Sequence, residues 1–103
     1  MTRACVYSQP AEADLRAIVR FTVRQWGVAQ ARADARQIDD AAAALAAGQG
    51  AVKNWDAVLP GLRVKAVGSH YIFGVDRPGH PTLILAVLHE RMDLMARLKE
   101  RLP

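Results

Sequence analysis

Apolar side chains recur every three or four residues over two stretches in the first half of the chain, the spacing of one face of an α-helix. The first stretch contains Leu15, Ile18, Val19, Thr22 and Trp26. The second contains Val28, Ala31, Ala35, Ile38, Ala42 and Leu45. Gly27 separates the two stretches, and Gly48-Gln49-Gly50 follows the second. We therefore predict one helix over about residues 10–26 and another from Val28 to these glycines, packed as an antiparallel hairpin.

The second half of the chain changes to an alternating pattern, which indicates β-strands. Residues 62–67 alternate, and the Gly68-Ser69 pair that follows is typical of a two-residue hairpin loop. This loop sets a register in which Leu62 lies opposite Val75, Val64 opposite Phe73 and Ala66 opposite Tyr71. These six side chains share one face, which we expect to be the core face. The opposite face carries Arg63, Lys65, His70, Ile72 and Gly74.

The segments before this hairpin complete the first part of the predicted fold. Residues 2–7 are moderately β-prone and form a short strand. Ser8 is a favourable helix cap and Pro10 is tolerated in a first helical turn, so both mark the start of the first helix. Residues 51–61 are predicted to be a connector. The position of the first strand in the sheet does not follow from the sequence.

The remaining segments are a turn, a strand and a short helix. Asp76 to Pro81 reads as a longer turn, and residues 82–88 are apolar nearly throughout, as in a strand that is central or covered on both faces. Leu94, Met95 and Leu98 predict a C-terminal helix. The order β-α-α-β-β-β-α makes the fold α+β, with the helical hairpin on one face of a small, mostly antiparallel sheet.

Length and composition favour one small domain in the cytoplasm. The 103 residues suit a single domain over residues 1–103, and the net charge of +4 suits an acidic partner. Cys5 is the one cysteine in the sequence, so an internal disulfide is excluded. No apolar run reaches the roughly 18 residues of a membrane span. The apolar stretch before Ser8 is too short for a signal peptide, so we expect no membrane contact.

The sequence contains no pattern typical of a metal or cofactor site. His70, His80 and His89 lack the spacing of metal ligands, and a single cysteine gives no thiolate pair. Gly48-x-Gly50 follows a helix rather than a strand, unlike a phosphate-binding loop. We therefore expect neither a metal ion nor a cofactor.

Several short motifs, in order along nearly the whole chain, resemble those of the RelE/ParE superfamily of bacterial toxins. The first half contains Ala11-Glu12-Ala13-Asp14-Leu15, Trp26-Gly27 and Gln30-Ala31. The second half contains Pro60-Gly61-Leu62-Arg63, Gly68-x-His70-x-Ile72-Phe73 and Val87-Leu88-His89-x-Arg91-Met92-Asp93. The last motif resembles the ParE branch most specifically. The chain departs from the family pattern at Asp34, where an aromatic residue is common, and at Phe73-Gly74-Val75.

The resemblance to ParE toxins implies a function, a target and a partner. Such toxins are not enzymes, and those characterised trap DNA gyrase so that DNA breaks accumulate. A cognate antitoxin, often of the ParD type with a ribbon-helix-helix DNA-binding region, wraps the toxin. Operator DNA is then contacted only indirectly, through the antitoxin.

Two alternatives stay open at this point. The RelE-like branch cleaves mRNA on the ribosome without a metal, and a cation such as Arg63 or Arg91 with a nearby histidine fits that chemistry. The usual group of several lysines is missing, and the C-terminal motif favours the ParE branch. A third hypothesis is an inactive homologue that acts only in autoregulation of its operon.

No residue is assigned a catalytic role, but seven are candidates for contact with the target. These are Arg63, Lys65, His70, His89, Arg91, Met92 and Asp93. Each also has an ordinary structural explanation: the basic side chains suit a solvated strand face, and Asp93 suits a helix cap.

Seven further residues are candidates for antitoxin binding. They are Arg16, Arg20, Arg24, Trp26, Ile72, Ile84 and Leu88. The arginines are spaced four apart on the first helix and form a basic ridge. The apolar three are included because a helical hairpin covers only one face of a sheet. We expect the other face, with Ile72 and alternate residues of 83–88, to stay exposed for a partner.

Overall fold

The computed structural model describes residues 5–103, which form three helices and five strands. In chain order these are β1 (Cys5–Tyr7), α1 (Gln9–Trp26), α2 (Val28–Ala47), β2 (Lys53–Asn54), β3 (Leu62–Val67), β4 (His70–Arg77), β5 (His80–His89) and α3 (Leu94–Lys99). The predicted α+β order is confirmed, with β2 as an additional strand inside the predicted connector. Residues 2–4 of the predicted first strand lie outside the described residues.

The helical hairpin begins and ends where the sequence predicts. The hydroxyl of Ser8 accepts a hydrogen bond from the Ala11 N–H at 3.2 Å and so caps α1. Gly27 and Gly48 adopt positive φ angles of 91° and 69° at the two helix ends, where a residue with a side chain would be strained. Ala31 and Ala42 are buried in the seam of α2, and their small side chains let other elements approach closely.

The five strands form one sheet with the order β1-β5-β4-β3-β2. β1 runs parallel to β5, whereas the other pairs are antiparallel. The predicted register between β3 and β4 is confirmed, since Leu62 lies opposite Val75 and Val64 opposite Phe73. The register therefore follows from the short loop at Gly68 and Ser69.

The turn between β4 and β5 is shorter than predicted. Arg77 pairs with His80, so only Pro78 and Gly79 lie between the strands. Gly79 adopts a φ of 75°, and proline followed by such a glycine is favoured at the centre of a tight turn. The expected loop over residues 76–81 is wrong because the strand pairing continues past an irregularity between Val75 and Arg77.

The helices cover the face of the sheet that carries Ile72. Ile72, Ile84 and Val87 are buried there together with Ile38 and Leu45 of α2. Glycine at position 74 makes this contact close, since a Cβ on that residue would lie 2.8 Å from Cδ2 of Leu45. The face of the β3–β4 hairpin that carries Val64 and Phe73 is also buried in a core, as predicted. That core lies on the side of the sheet away from the helices.

The second face of the sheet is closed by the connector and the C-terminal segment. Phe73 and Leu88 are buried there, and the partly buried side chains packed on this core are those of Trp55, Leu59, Tyr71, Leu83, Leu94 and Leu102. Trp55 meets Phe73 edge to face, with ring centroids 5.7 Å apart. The expectation that one face stays exposed for a partner is therefore wrong.

The three apolar antitoxin candidates on the sheet are buried as a result. Ile72 and Ile84 are fully buried beneath the helices, and Leu88 is 2% exposed in the opposite core. The register shifts opposite Phe73 and Gly74, leaving Leu85 as an extra residue in β5. This bulge places Leu88 on the other face from Ile84, so simple alternation fails along β5. These three residues do not belong to the candidate surfaces described below.

Candidate functional site

Large apolar side chains are exposed together at one end of the molecule. Trp26 is 73% exposed, Phe21 62% and Met92 45%. They border a groove of about 400 Å³ between α1 and the end of the sheet. This end groove is lined by Ala17, Ile18, Phe21, Thr22, Trp26, Asp34, Ser69, His70, His89 and Met92. Tryptophan, phenylalanine and methionine are enriched at protein interfaces, so this composition is typical of a binding surface.

A pair of histidines forms the sheet side of the end groove. His70 begins β4, His89 ends β5, and the two residues are directly opposite each other in the ladder. Their rings meet edge to face at 85°, with centroids 5.2 Å apart. Burial, and next the proximity of His89, lower the pKa of His70, while Asp34 and Glu90 act in the opposite direction. The ring of His70 is therefore held in its neutral form at neutral pH.

The turn after β5 orients Met92 in the groove. The Arg91 N–H donates to Nδ1 of His89 at 3.1 Å, and the Met92 N–H donates to the His89 carbonyl at 3.0 Å. The Glu90 N–H donates to the Ser69 carbonyl at 2.8 Å, which ties this turn to the β3–β4 loop. The local fold thus places Met92 in the lining of the same groove as the two imidazoles.

Arg63, a predicted target contact, lies at the other end of β3. Its guanidinium pairs with Asp56 at 3.2 Å and with Asp76 at 3.4 Å. Arg63 lies opposite Gly74, whereas His70 is four residues from Gly74 along β4. At about 3.3 Å per residue the separation along the strand is roughly 13 Å. Arg63 and the histidine pair are therefore not brought together.

The other predicted target contacts are divided between structural and exposed positions. Lys65 is half-buried, and its Nζ packs closely against Gly50. A Cβ added to Gly50 would lie only 2.8 Å from this nitrogen. Asp93 caps α3 by accepting a hydrogen bond from the Ala96 N–H at 3.2 Å. Arg91 is exposed beside the end groove. Of the seven candidates, the structure places His70, His89, Met92 and Arg91 at or beside one groove.

A second groove lies between the two helices on the outside of the hairpin. This hairpin groove has a volume of about 450 Å³ and is lined by Leu15, Arg16, Val19, Arg20, Ala35 and Asp39. Its floor is mainly apolar, and Arg16 and Arg20 form part of the rim. Arg24 continues the exposed ridge towards the end of α1. Trp26, predicted with these arginines, instead lines the end groove.

The sequence did not single out Phe21 and Asp34 as groove residues. Phe21 lies off the apolar seam of α1. A large aromatic residue outside such a seam is a signal in the sequence that could have indicated an exposed binding residue. Asp34 accepts a hydrogen bond from the side chain of Gln30 at 2.8 Å and lines the end groove. Within residues 5–103, no three histidine, cysteine or acidic side chains are grouped as metal ligands would be. None of the helices in that range combines the length and apolar character of a membrane-spanning segment.

Comparison with known proteins identifies the family. Residues 5–94 match the family described as the ParE toxin of the type II toxin-antitoxin system parDE. Over 99 residues the chain is 46% identical to Toxin ParE of Escherichia coli, covering 96% of both chains. It is 34% identical over 95 residues to Toxin ParE1 of Mycobacterium tuberculosis H37Rv, covering 91% of this chain and 96% of the relative.

A solved structure has the same fold. It is described as the chromosomal ParDE TA system from P. aeruginosa and superimposes with a TM-score of 0.68 at 23% sequence identity. The match covers 85% of this chain and 96% of that one. The sequence relatives match almost the full length of this chain. The chain belongs to the ParE toxin family of type II toxin–antitoxin systems.

Proposed function

We propose that this toxin inhibits DNA gyrase by binding it, without catalysing a reaction, and that it acts in the cytoplasm. The observation that carries the proposal is the end groove, where Phe21, Trp26 and Met92 are exposed around a histidine pair. A protein of this size gains little from leaving such side chains in water, whereas they contribute strongly to a protein interface. Membership of the ParE toxin family supports gyrase as the proposed target.

The distribution of charge speaks against ribonuclease activity. Cleavage of mRNA needs a cation near the attacked phosphate and a histidine that moves a proton. Arg63 is held by two carboxylates at the opposite end of β3. Arg91 lies near His89, but only its backbone N–H is engaged there. Of the two cations proposed for RNA cleavage, Arg63 is therefore separated from the histidine pair, and Arg91 is the one that lies beside it.

We propose that a ParD-type antitoxin with a ribbon-helix-helix DNA-binding region neutralises the toxin. The hairpin groove supports this assignment, because an apolar floor with Arg16 and Arg20 at its rim suits an amphipathic helix that carries acidic side chains. Arg24 extends the basic ridge. Operator DNA is then contacted only through the antitoxin.

Three assays on the purified toxin separate the alternatives. A gyrase toxin inhibits supercoiling of relaxed plasmid by purified gyrase and increases the amount of cleaved DNA. A ribonuclease toxin leaves supercoiling unchanged and cleaves mRNA bound to translating ribosomes. An inactive homologue does neither, and cells that express it without an antitoxin grow normally. Failure to inhibit gyrase at any soluble toxin concentration contradicts the proposal.

A further inference from the structure

The hydrogen bond between Arg91 and His89 determines which nitrogen of His89 carries the hydrogen. The Arg91 N–H donates to Nδ1 at 3.1 Å, so Nδ1 presents a lone pair and the neutral ring has its hydrogen on Nε2. An added proton can bind only at Nδ1. It would then face the Arg91 N–H instead of accepting from it. Protonation of His89 is therefore incompatible with this hydrogen bond.

The turn that contains this bond also positions Met92. Its other two backbone bonds are those from Met92 to the His89 carbonyl and from Glu90 to the Ser69 carbonyl. Loss of the Arg91 bond frees the peptide unit between Glu90 and Arg91, one unit before the peptide that carries the Met92 N–H. Met92 is 45% exposed at the rim of the end groove, and its position there depends on the conformation of this turn.

The surroundings make a positive charge on His89 unfavourable for an apolar occupant of the groove. His70 lies across the ladder with its ring centroid 5.2 Å away. The ionisable groups that face the pair are Asp34 from α2, with Glu90 and Arg91 from the turn. α1 contributes only un-ionisable lining residues. Because burial and the neighbouring ring lower the pKa of His70, a second charge on the pair is disfavoured further.

We propose that the His70–His89 pair and the Arg91 hydrogen bond form a pH-sensitive switch at the end groove. Acid adds a proton to Nδ1 of His89, breaks the bond from Arg91 and so loosens the turn before Met92, which then keeps only its bonds to the His89 and Ser69 carbonyls. The protein bound in the groove then dissociates more readily. The proposal rests on the proposed function only in taking gyrase as the bound protein.

The chain offers one test variant and one matched control. In His89→Asn the side-chain oxygen occupies roughly the place of Nδ1, so it accepts from the Arg91 N–H but does not titrate. His80→Asn removes the histidine of the opposite hairpin end, which is exposed and outside the end groove. Comparison of these two variants isolates the ring of His89 from the general effect of removing a histidine.

The first experiment follows the unbound toxin by NMR between pH 8 and 5. The amide resonance of Arg91 is expected to shift with the same midpoint as the ring of His89, both in the wild type and in His80→Asn. In His89→Asn the Arg91 amide is expected to stay constant. The switch is contradicted if the His89 ring titrates while the Arg91 amide does not, or if the amide titrates equally in His89→Asn.

The second experiment measures the toxin concentration that half-inhibits gyrase at pH 7.5 and at pH 6.0. Gyrase's own pH dependence affects all variants alike. The ratio of the two concentrations is expected to be about fivefold larger for wild type and His80→Asn than for His89→Asn. Equal ratios in all three contradict the switch. If the wild type does not inhibit gyrase at pH 7.5, the proposed function fails, and the NMR titration alone decides whether the switch exists.

Discussion

Arg101 donates two hydrogen bonds to the carboxylate of Asp14, at 2.8 and 2.9 Å, and so joins the C-terminal end of the chain to the first helix. Asp14 also accepts from the Val87 N–H, and Arg101 donates to the Leu85 carbonyl. The hydrogen bond to Asp14 is the main cause that raises the pKa of Arg101. Both side chains are less than one-fifth exposed, at 18% and 14%. This pair therefore supplies hydrogen-bond partners for the backbone of β5 at Leu85 and Val87, beyond the point where β1 ends.

Replacement of Asp14 by alanine is expected to destabilise the fold by about 2–4 kcal/mol, since it leaves a partly buried guanidinium and the Val87 N–H without their acceptor. Urea denaturation followed by circular dichroism measures the change. Arg97→Ala, on the exposed side of α3, is the control and should change stability by less than about 0.5 kcal/mol.

A double-mutant cycle separates the pair from its surroundings. Asp14→Ala combined with Arg101→Ala should cost less than the sum of the two single changes by more than about 1 kcal/mol. Strictly additive effects would show that the two side chains stabilise the protein independently. That result would contradict a direct interaction between Asp14 and Arg101.

The close contact between the sheet and α2 leads to a second prediction. A Cβ at position 74 would lie 2.8 Å from Leu45 and 3.1 Å from Thr82, so Gly74→Ala should destabilise the protein by about 1–3 kcal/mol. Adding Leu45→Ala removes the nearest obstacle. The double variant should therefore lose less stability than the summed single changes, as measured by urea denaturation. A Gly74→Ala protein as stable as wild type would contradict the packing.

Much of the fold follows from local signals in the sequence. Gly27 and Gly48 end helices because they adopt positive φ, and Gly68 with Ser69 sets the register of β3 and β4. Each of these signals acts over a few neighbouring residues. The local sequence is therefore enough to predict where a helix ends or how two adjacent strands pair. The helix bounds and the central hairpin were predictable for this reason.

The features that the sequence did not reveal depend on distant contacts. Both faces of β4 carry apolar residues, and which face meets the helices depends on packing between distant elements, such as that of Leu45 against Gly74. The bulge at Leu85 reverses the alternation of β5, and hydrophobicity alone does not locate it. The pattern of Leu94, Met95 and Leu98 predicts the C-terminal helix, but no local signal shows that this helix and the connector close the second face of the sheet.

The candidate site was predictable in part. His70, His89 and Met92 come together because β4 and β5 are paired and the turn after β5 is short. Arg63 was predicted with them because it shares the strand face of His70. Two residues on the same face of a sheet can still lie far apart along the strands. Arg63 lies at the opposite end of β3 from the histidines, where it pairs with the carboxylates of Asp56 and Asp76. Phe21 joins the site only through the packing of α1 across the sheet.

The lowered pKa of His70 predicts how stability depends on pH. The folded state resists protonation of this ring, because burial and the neighbouring His89 disfavour the charge. The unfolded chain takes up the proton near pH 6.5. The contribution of His70 is therefore fully present above about pH 6.5 and is lost as pH falls through the lowered pKa.

The free energy of unfolding should accordingly decrease between pH 7.5 and 5.5, and His70→Phe should reduce that slope. Phenylalanine keeps a ring beside His89 but does not titrate. His80→Phe is the matched control, because His80 is exposed and lies at the opposite end of the β4–β5 hairpin from His70. Urea titrations at each pH measure the slope. An unchanged slope in His70→Phe would count against this role for the buried ring.

Trp26 and Met92 provide the last prediction, because the end groove can be altered without disturbing the core. Trp26 is 73% exposed and Met92 45%, so alanine at either position should change the free energy of unfolding by no more than about 0.5 kcal/mol. At a protein interface such side chains are frequent hot spots, and each change should raise the half-inhibiting toxin concentration for gyrase by about tenfold or more. Val58→Ala is the control, since Val58 is 39% exposed and does not line the end groove. Equal potency of all three variants would remove the end groove as the gyrase-binding surface while leaving the family assignment intact.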